Sequence, residues 1–254
     1  MKGAVLIGAG AAGFAFWHAQ VPTSQLYGKT ICRRREAGRL IALTYDDGPN
    51  PKYTESLLRV LEKHDARATF FLIGRWAQRE PGLMREVQAA GHALGNHTWS
   101  HPTLALCSAV RVRDELRRCR EAVEAGGGQF AQVDGGALMR PPWGRRRPGT
   151  LRTLREEGYT PVLWSVTGWD WRPRETAASI AARCEKAREG DLILLHDGVH
   201  TEPAGDRSAS VGATEEILRR FSDEGYRFVT VPELMSASNG ARSARPRDGL
   251  QVLG

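Results

Sequence analysis

Short apolar runs alternate with amphipathic stretches from Leu40 onwards. Leu40–Thr44 reads as a strand, and Leu57, Leu58 and Leu61 mark the inward face of a helix over Thr54–His64. Ala68–Ile73 is a second strand, stopped by Gly74. A helix over Pro81–Ala90 then leads through Gly91 into a strand at His92–Gly95. The long helix expected at Val110–Ala125 ends on Gly126-Gly127-Gly128, a clear stop signal. Helices over Leu151–Glu157, Thr176–Arg188 and Thr214–Asp223 precede strands at Thr160–Val166, Asp191–Leu195 and Tyr226–Thr230. Such alternation implies an α/β fold in which parallel strands are joined by right-handed crossovers, as a barrel or an open sheet with helices outside. In folds of this kind chemistry collects on loops at the carboxyl ends of strands.

The 254 residues suit one domain with tails: an N-terminal segment and linker over 1–39, a catalytic domain over 40–235 and a disordered tail over 236–254. A net charge of +7 raises the question of nucleic acid, but lysine occurs only at 2, 29, 52, 63 and 186 and arginine is spread along the whole chain. That distribution describes a solvated surface, so no nucleic-acid partner is expected. Cys32, Cys107, Cys119 and Cys184 form no C-x-x-C pair, which argues against a cysteine metal site. Cys119 shares an apolar helix face with Val112, Leu116 and Val123 and is expected to be buried.

Gly3–Trp17 is apolar and uncharged, too short for a comfortable bilayer span but suited to a signal or anchor. Cleavage after Ala19 would place Trp17 where a small residue is wanted, so an uncleaved anchor is favoured. The expected location is a membrane or the cell envelope. The run Gly8-Ala-Gly10-Ala-Ala-Gly13 formally matches a dinucleotide fingerprint, but Pro22 arrives where the helix should still be running.

Polar motifs fall after the predicted strands, beyond Thr44, Gly95, Val166 and Leu195. Asp46 and Asp47 are adjacent carboxylates whose repulsion a cation would relieve, although Asp47-Gly48-Pro49 is also good turn chemistry. His97 and His101 stand four apart, so a helical turn would put both imidazoles on one face. Two histidines with a carboxylate are a common ligand set for catalytic zinc. Arg140-Pro-Pro-Trp-Gly144 is rigid, because each proline restricts the residue before it. His196 ends a fully apolar strand, where a proton donor would be useful.

Taken in order, Thr44–Pro49, His97–Pro102, Arg140–Gly144, Trp164–Trp171 and Leu192–Asp197 resemble the motifs of the polysaccharide deacetylases, the NodB-homology group. The resemblance covers about Leu40 to Leu234. It implies a distorted (β/α) barrel and hydrolysis of N-acetyl groups on N-acetylglucosamine glycans such as peptidoglycan, chitin or chitooligosaccharides. It also implies one divalent ion, zinc by its ligands, on Asp47, His97 and His101. By the same resemblance Asp46 is the general base, Arg140 its partner, and the Trp143 N–H a donor to the oxyanion. His196 is the general acid, and Trp171 and Leu194 form the pocket for the acetyl methyl.

One motif departs from the family pattern. Thr167-Gly-Trp-Asp170-Trp171 has threonine where many members carry a first aspartate, which puts the tuning of His196 in doubt. Asp170 and Asp197 remain as candidate partners. The alternatives are a deacylase of a lipid-linked or other non-polymeric amide, or a carbohydrate-binding protein without catalysis. The expected partner is the acetylated glycan itself, and a monomer is expected.

Overall fold

The computed structural model describes residues 13, 14 and 17–237. The glycine-rich run except Gly13, most of the apolar stretch 3–17 and the tail beyond Ala237 lie outside the described residues. Among the described residues no helix is long and apolar enough to cross a membrane.

Nine strands form the sheet: β1 Leu40–Asp46, β2 Ala68–Leu72, β3 Ala93–Asn96, β4 Gln132–Val133, β5 Gly136–Met139, β6 Tyr159–Pro161, β7 Val166–Thr167, β8 Leu192–His196 and β9 Arg227–Phe228. Around them lie α1 Tyr53–Lys63, α2 Gly74–Ala77, α3 Pro81–Ala89, α4 Ala109–Ala125, α5 Pro148–Glu156, α6 Ala177–Cys184, α7 Ser208–Asp223 and α8 Val231–Ser236. A parallel path runs β6–β5–β3–β2–β1–β8–β7, with β9 beside the start of β1 and β4 antiparallel to β5. The two ends of that path, β6 and β7, are joined by residues 162–165 alone. Five residue steps span at most about 18 Å, so the sheet must curl until its edges meet. This is the distorted barrel, closed by a crossing segment instead of a ladder.

Side-chain alternation then fixes what the barrel holds. Ile41, Leu43 and Tyr45 pack outward among the helices, whereas Ala42 packs inward with Phe71, Leu138 and Leu192. Strand side chains repeat every second residue, so the inward rows run 42–44–46, 95–97, 138–140 and 192–194–196. Each row is apolar or small at depth and ends in a polar group at the carboxyl rim: Asp46, His97, Arg140 and His196. Gly95 is required in its row because a Cβ there would lie 2.5 Å from the Phe71 ring.

The structure corrects several sequence expectations. Thr160–Val166 is two strands and not one. Pro161 has no N–H for a ladder, and the Val162 and Leu163 carbonyls accept from the Arg140 guanidinium at 3.4 and 3.1 Å. α7 begins at Ser208, six residues before the expected start, through a Ser-Ala-Ser-Val-Gly run in which only Ala209 is a strong helix former. Tertiary contact overrides that weakness, since buried Ser210 donates to Asp170 at 2.7 Å. α6 ends at Cys184, four residues early, and α2, α8 and the β4–β5 hairpin were too short to leave a periodic signal. Cys119 is fully buried, as expected.

The residues before β1 are fastened to the barrel at several points. Ile31 bridges Val162, and the Leu163 N–H donates to the Ile31 carbonyl at 2.6 Å. Fully buried Asp191 accepts from Arg33 Nε at 2.6 Å, from Ser165 Oγ at 2.7 Å and from the Arg188 N–H at 2.8 Å. Asp191→Ala removes the acceptor shared by those three donors. It should lower the unfolding free energy in urea by about 2–3 kcal/mol. Its bound-metal content should match wild type, because Asp191 lies at the opposite end of β8 from the polar rim.

Candidate active site

Asp46 and Asp47 end β1 but point differently. Asp46 follows the inward row and accepts from Arg140 Nη1 at 2.6 Å. Asp47 breaks the alternation with φ 74°, which swings its carboxylate over the rim. Its Oδ1 lies 3.5 Å from His97 Nε2 and 3.3 Å from His101 Nε2, while Asp46 Oδ2 lies 3.7 Å from His97 Nε2. Glycines on both sides make this swing feasible. A Cβ on Gly48 would meet the Asp197 carboxylate at 2.0 Å, and one on Gly198 would meet the Asp47 carbonyl at 2.1 Å.

His97 Nδ1 lies 2.8 Å from the Arg140 carbonyl, which can only accept. In the neutral ring the proton therefore sits on Nδ1, and the Nε2 lone pair faces Asp47. The turn to His101 is held from beneath. The Asn96 side chain accepts from the Thr98 N–H at 2.7 Å, and Glu115 of α4 accepts from the Ser100 N–H and hydroxyl, both at 2.8 Å. Burial lowers the His101 pKa to about 3, with Asp47 opposing, so the ring is neutral at physiological pH. Burial alone would raise the Asp47 carboxyl, but His200 and the other nearby imidazoles hold it well below the usual carboxylate range.

These three residues fit a divalent ion. Their ligand atoms all lie within 4.8 Å of one another, and all three residues are buried. Asp47 Oδ1 is buried with no hydrogen-bond partner in the protein, a costly state that a cation would relieve. One carboxylate with two neutral imidazoles is the donor chemistry of open, three-ligand sites.

Arg140 is fully buried, donates to Asp46, Val162 and Leu163, and lies 4.1 Å from the Phe71 ring centroid. The next turn, Pro142–Gly144, places Trp143 at φ 61° with its indole half exposed. The Gly144 and Arg145 N–H groups are used by the Pro141 and Pro142 carbonyls, and no protein acceptor takes the Trp143 N–H among the described residues.

His196 answers the doubt raised by Thr167. Asp170 accepts from the His196 backbone N–H at 2.7 Å and lies 2.9 Å from its Nδ1. Burial disfavours the imidazolium, but Asp170 in contact, with the Asp47 and Asp46 charges beyond it, holds His196 above its ordinary value. Of the two candidate partners, Asp170 is the one in contact with His196. Thr167 Oγ1 accepts instead from the Trp169 N–H at 3.2 Å and shapes the turn that delivers Asp170. Asp197, the other candidate, faces away: Thr54 Oγ1 donates to it at 2.5 Å, and burial pushes its pKa up to about 7.

Asp46, Asp47, His97, His101, Trp143, Trp171, Leu194 and His196 all line one pocket of about 370 Å³, with Arg140 and Asp170 directly behind it. The pocket also holds Trp164, the first residue of the fourth motif, and Val199, Arg207 and His200, which sequence reasoning missed. The His200 ring stacks on His101 at 4.5 Å and its Nδ1 lies 3.8 Å from Asp47 Oδ2. Only its position four residues beyond His196 hinted at this.

Comparison with known proteins agrees with this arrangement. The sequence profile described as "Polysaccharide deacetylase" matches residues 33–162, about half the chain. The chain belongs to the polysaccharide deacetylase family. It is similar to a peptidoglycan-N-acetylglucosamine deacetylase of Bacillus cereus, at 39% identity over 78% of this chain and 88% of the relative. It is also similar to a chitooligosaccharide deacetylase of Sinorhizobium fredii, at 32% identity over 82% of this chain and 97% of the relative. Among solved structures, the Bc1960 peptidoglycan N-acetylglucosamine deacetylase superposes with TM-score 0.73 at 29% identity, covering 83% and 94% of the two chains. A mutant of BA3943, a pseudoenzyme of the same family with restored activity, superposes with TM-score 0.72 at 26% identity, covering 82% and 72%.

The purified protein should carry about one equivalent of divalent metal by elemental analysis. The His97→Ala, His101→Ala double variant should lose it while remaining folded by circular dichroism. Full retention in that variant would place the ion elsewhere.

Proposed function

We propose that the protein hydrolyses N-acetyl groups on N-acetylglucosamine-containing glycans and releases acetate. The observation that carries this reading is the meeting, in one aromatic-walled pocket, of a buried Asp-His-His cluster with a carboxylate on one side and a carboxylate-paired histidine on the other. The family and the activities of its relatives support the same chemistry, and those relatives point to peptidoglycan or chitooligosaccharides as substrates. A peptidoglycan substrate would place the protein at the cell envelope.

Asp47, His97 and His101 would hold the divalent ion, and two imidazoles with a carboxylate favour zinc. Bound there, the ion supplies Lewis acidity to the acetyl carbonyl and to the attacking water. Asp46 takes the proton from that water. Its hydrogen bond from Arg140 orients the carboxylate and leaves Oδ2 toward the pocket. As the carbonyl oxygen gains charge, the unpaired Trp143 N–H donates to it. Leu194 and Trp171 wall the space for the methyl group. His196, whose imidazolium Asp170 favours, then gives its proton to the nitrogen, so the C–N bond breaks to acetate and a free amine.

A second reading, a glycan-binding protein without turnover, is prompted by the structural likeness to a family pseudoenzyme. The presence of base, ligand set and acid together in one pocket favours catalysis. Acetate measured from a panel of N-acetylated chitooligosaccharides and peptidoglycan fragments decides between them, because binding without release would leave only the second reading.

Two variant experiments test the roles. Asp46→Asn should retain the metal yet lose about 10²–10⁴-fold in kcat, and near wild-type turnover would remove Asp46 from the base role. For His196, Asp170 raises the pKa, so the acid form persists to higher pH and activity falls as pH rises through that value. Asp170→Asn should therefore move the alkaline limb of kcat/KM to lower pH, whereas Thr167→Asp should leave it nearly unchanged. The opposite pattern would assign the tuning to position 167.

A further inference from the structure

Arg146 is 1% exposed, yet no carboxylate pairs with it among the described residues. Its guanidinium is met by main-chain carbonyls. Nη2 donates to Val21 at 2.6 Å, to Ser24 at 2.8 Å and to Pro22 at 3.4 Å. Nη1 donates to Gly144 at 3.1 Å and to Ala19 at 3.5 Å, and the Arg146 N–H also donates to Ala19 at 3.2 Å. An unpaired buried charge is costly unless its hydrogen-bonding capacity is filled. Here it is filled by a strap, Ala19–Ser24, and by the last residue of the Pro142–Gly144 turn. The strap precedes the stretch that the family profile matches, which begins at residue 33.

The turn itself needs external support. Trp143 sits at φ 61°, a conformation that costs a bulky residue about 1–3 kcal/mol and persists only where the surroundings over-determine it. Gly144 also has positive φ, and a Cβ there would lie 2.6 Å from the Trp164 ring, so the turn is wedged on that side. On its other side the Gly144 carbonyl is held by Arg146 alone among the described side chains.

We propose that Arg146 is a positioning residue for deacetylation, clamping the Ala19–Ser24 strap onto the Pro142–Gly144 turn so that the Trp143 N–H and indole keep their places at the pocket. This rests on the role given above to the Trp143 N–H. The guanidinium serves both partners at once, so loosening either the charge or the strap frees the turn. The metal cluster is held by different bonds and stays intact.

The test uses the full-length, metal-loaded protein with Arg146→Gln, Arg146→Lys and Pro22→Gly. For each, kcat and KM on an N-acetylated oligosaccharide are measured with metal content and amide hydrogen exchange over 17–26 and 141–147. Arg146→Gln should lower kcat about tenfold or more, a fraction of the 10²–10³ that a lost oxyanion donor costs. KM and metal content should stay within about twofold of wild type, as the ligand set is untouched. Exchange should quicken in both segments together. Arg146→Lys should recover part of the rate, and Pro22→Gly, which loosens the strap and spares the charge, should act in the same direction more weakly.

Faster exchange confined to 17–26 with kcat unchanged would overturn the proposal, as would loss of metal in step with kcat. If Arg146→Gln does not fold, the lysine and Pro22→Gly variants decide by the same criteria. If the wild type releases no acetate, the functional reading falls, and joint or separate exchange of the two segments still decides whether the strap fixes the turn.

Discussion

The Arg140 guanidinium lies under the whole site, and the strand ends are arranged around its charge. It is fully buried and stacked on Phe71 inside the barrel, so desolvation works against its ionised form. Removing one partner from such a pair typically costs about 3–5 kcal/mol, and each donor here has a fixed destination. One nitrogen orients Asp46. Two others take the Val162 and Leu163 carbonyls, which interrupts the expected strand and creates the segment that closes the barrel. The Arg140 carbonyl meanwhile fixes the His97 proton on Nδ1. Base orientation, ligand tautomer and barrel closure are thus set by one residue.

This explains which parts of the fold were legible in the sequence. β1, β2 and β8 are buried on both faces, so they stand out as continuous apolar runs, and the helices facing them carry plain amphipathic spacing. The polar ends of three strands were legible too, since Asp46, His97 and His196 follow apolar runs, whereas the short β5 before Arg140 left no such signal. The strand after α5 was misread because the choice between ladder and guanidinium for the Val162 carbonyl is a tertiary matter. Composition at 160–166 holds no trace of it.

Site residues that act through others were the least visible. Glu115 lies mid-helix among arginines and looks like a surface charge, yet it is fully buried and holds the backbone between the two histidines. Ser210 looks like a weak helix position until its hydroxyl is seen on Asp170. Thr167 left a question that the sequence could not close. The missing carboxylate put the tuning of His196 in doubt with Asp170 and Asp197 as candidates, and Asp170 accepts from both the ring and the backbone of His196. A motif position can report backbone shape as readily as chemistry, and only geometry separates the two.

The rim shows why so much support is needed. Asp47, Thr98, His101, Trp143 and Trp169 all have positive φ, a region that bulky residues avoid. Each conformation turns a side chain or an N–H away from its strand direction and into or beside the pocket, so the strain is coupled to the placement of the reacting groups. Each is held by a specific bond nearby: Thr98 by Asn96, His101 by Thr98, Trp169 by Thr167, and the Trp143 turn by Arg146. Asp47 is held differently, by Gly198 packed on its carbonyl and by the cluster it faces. A deep barrel row can supply a carboxylate or an imidazole at the right depth, but its period of two cannot bring neighbouring residues to one point. Strained loop residues make that convergence, and the buried hydrogen bonds beneath them keep it from relaxing.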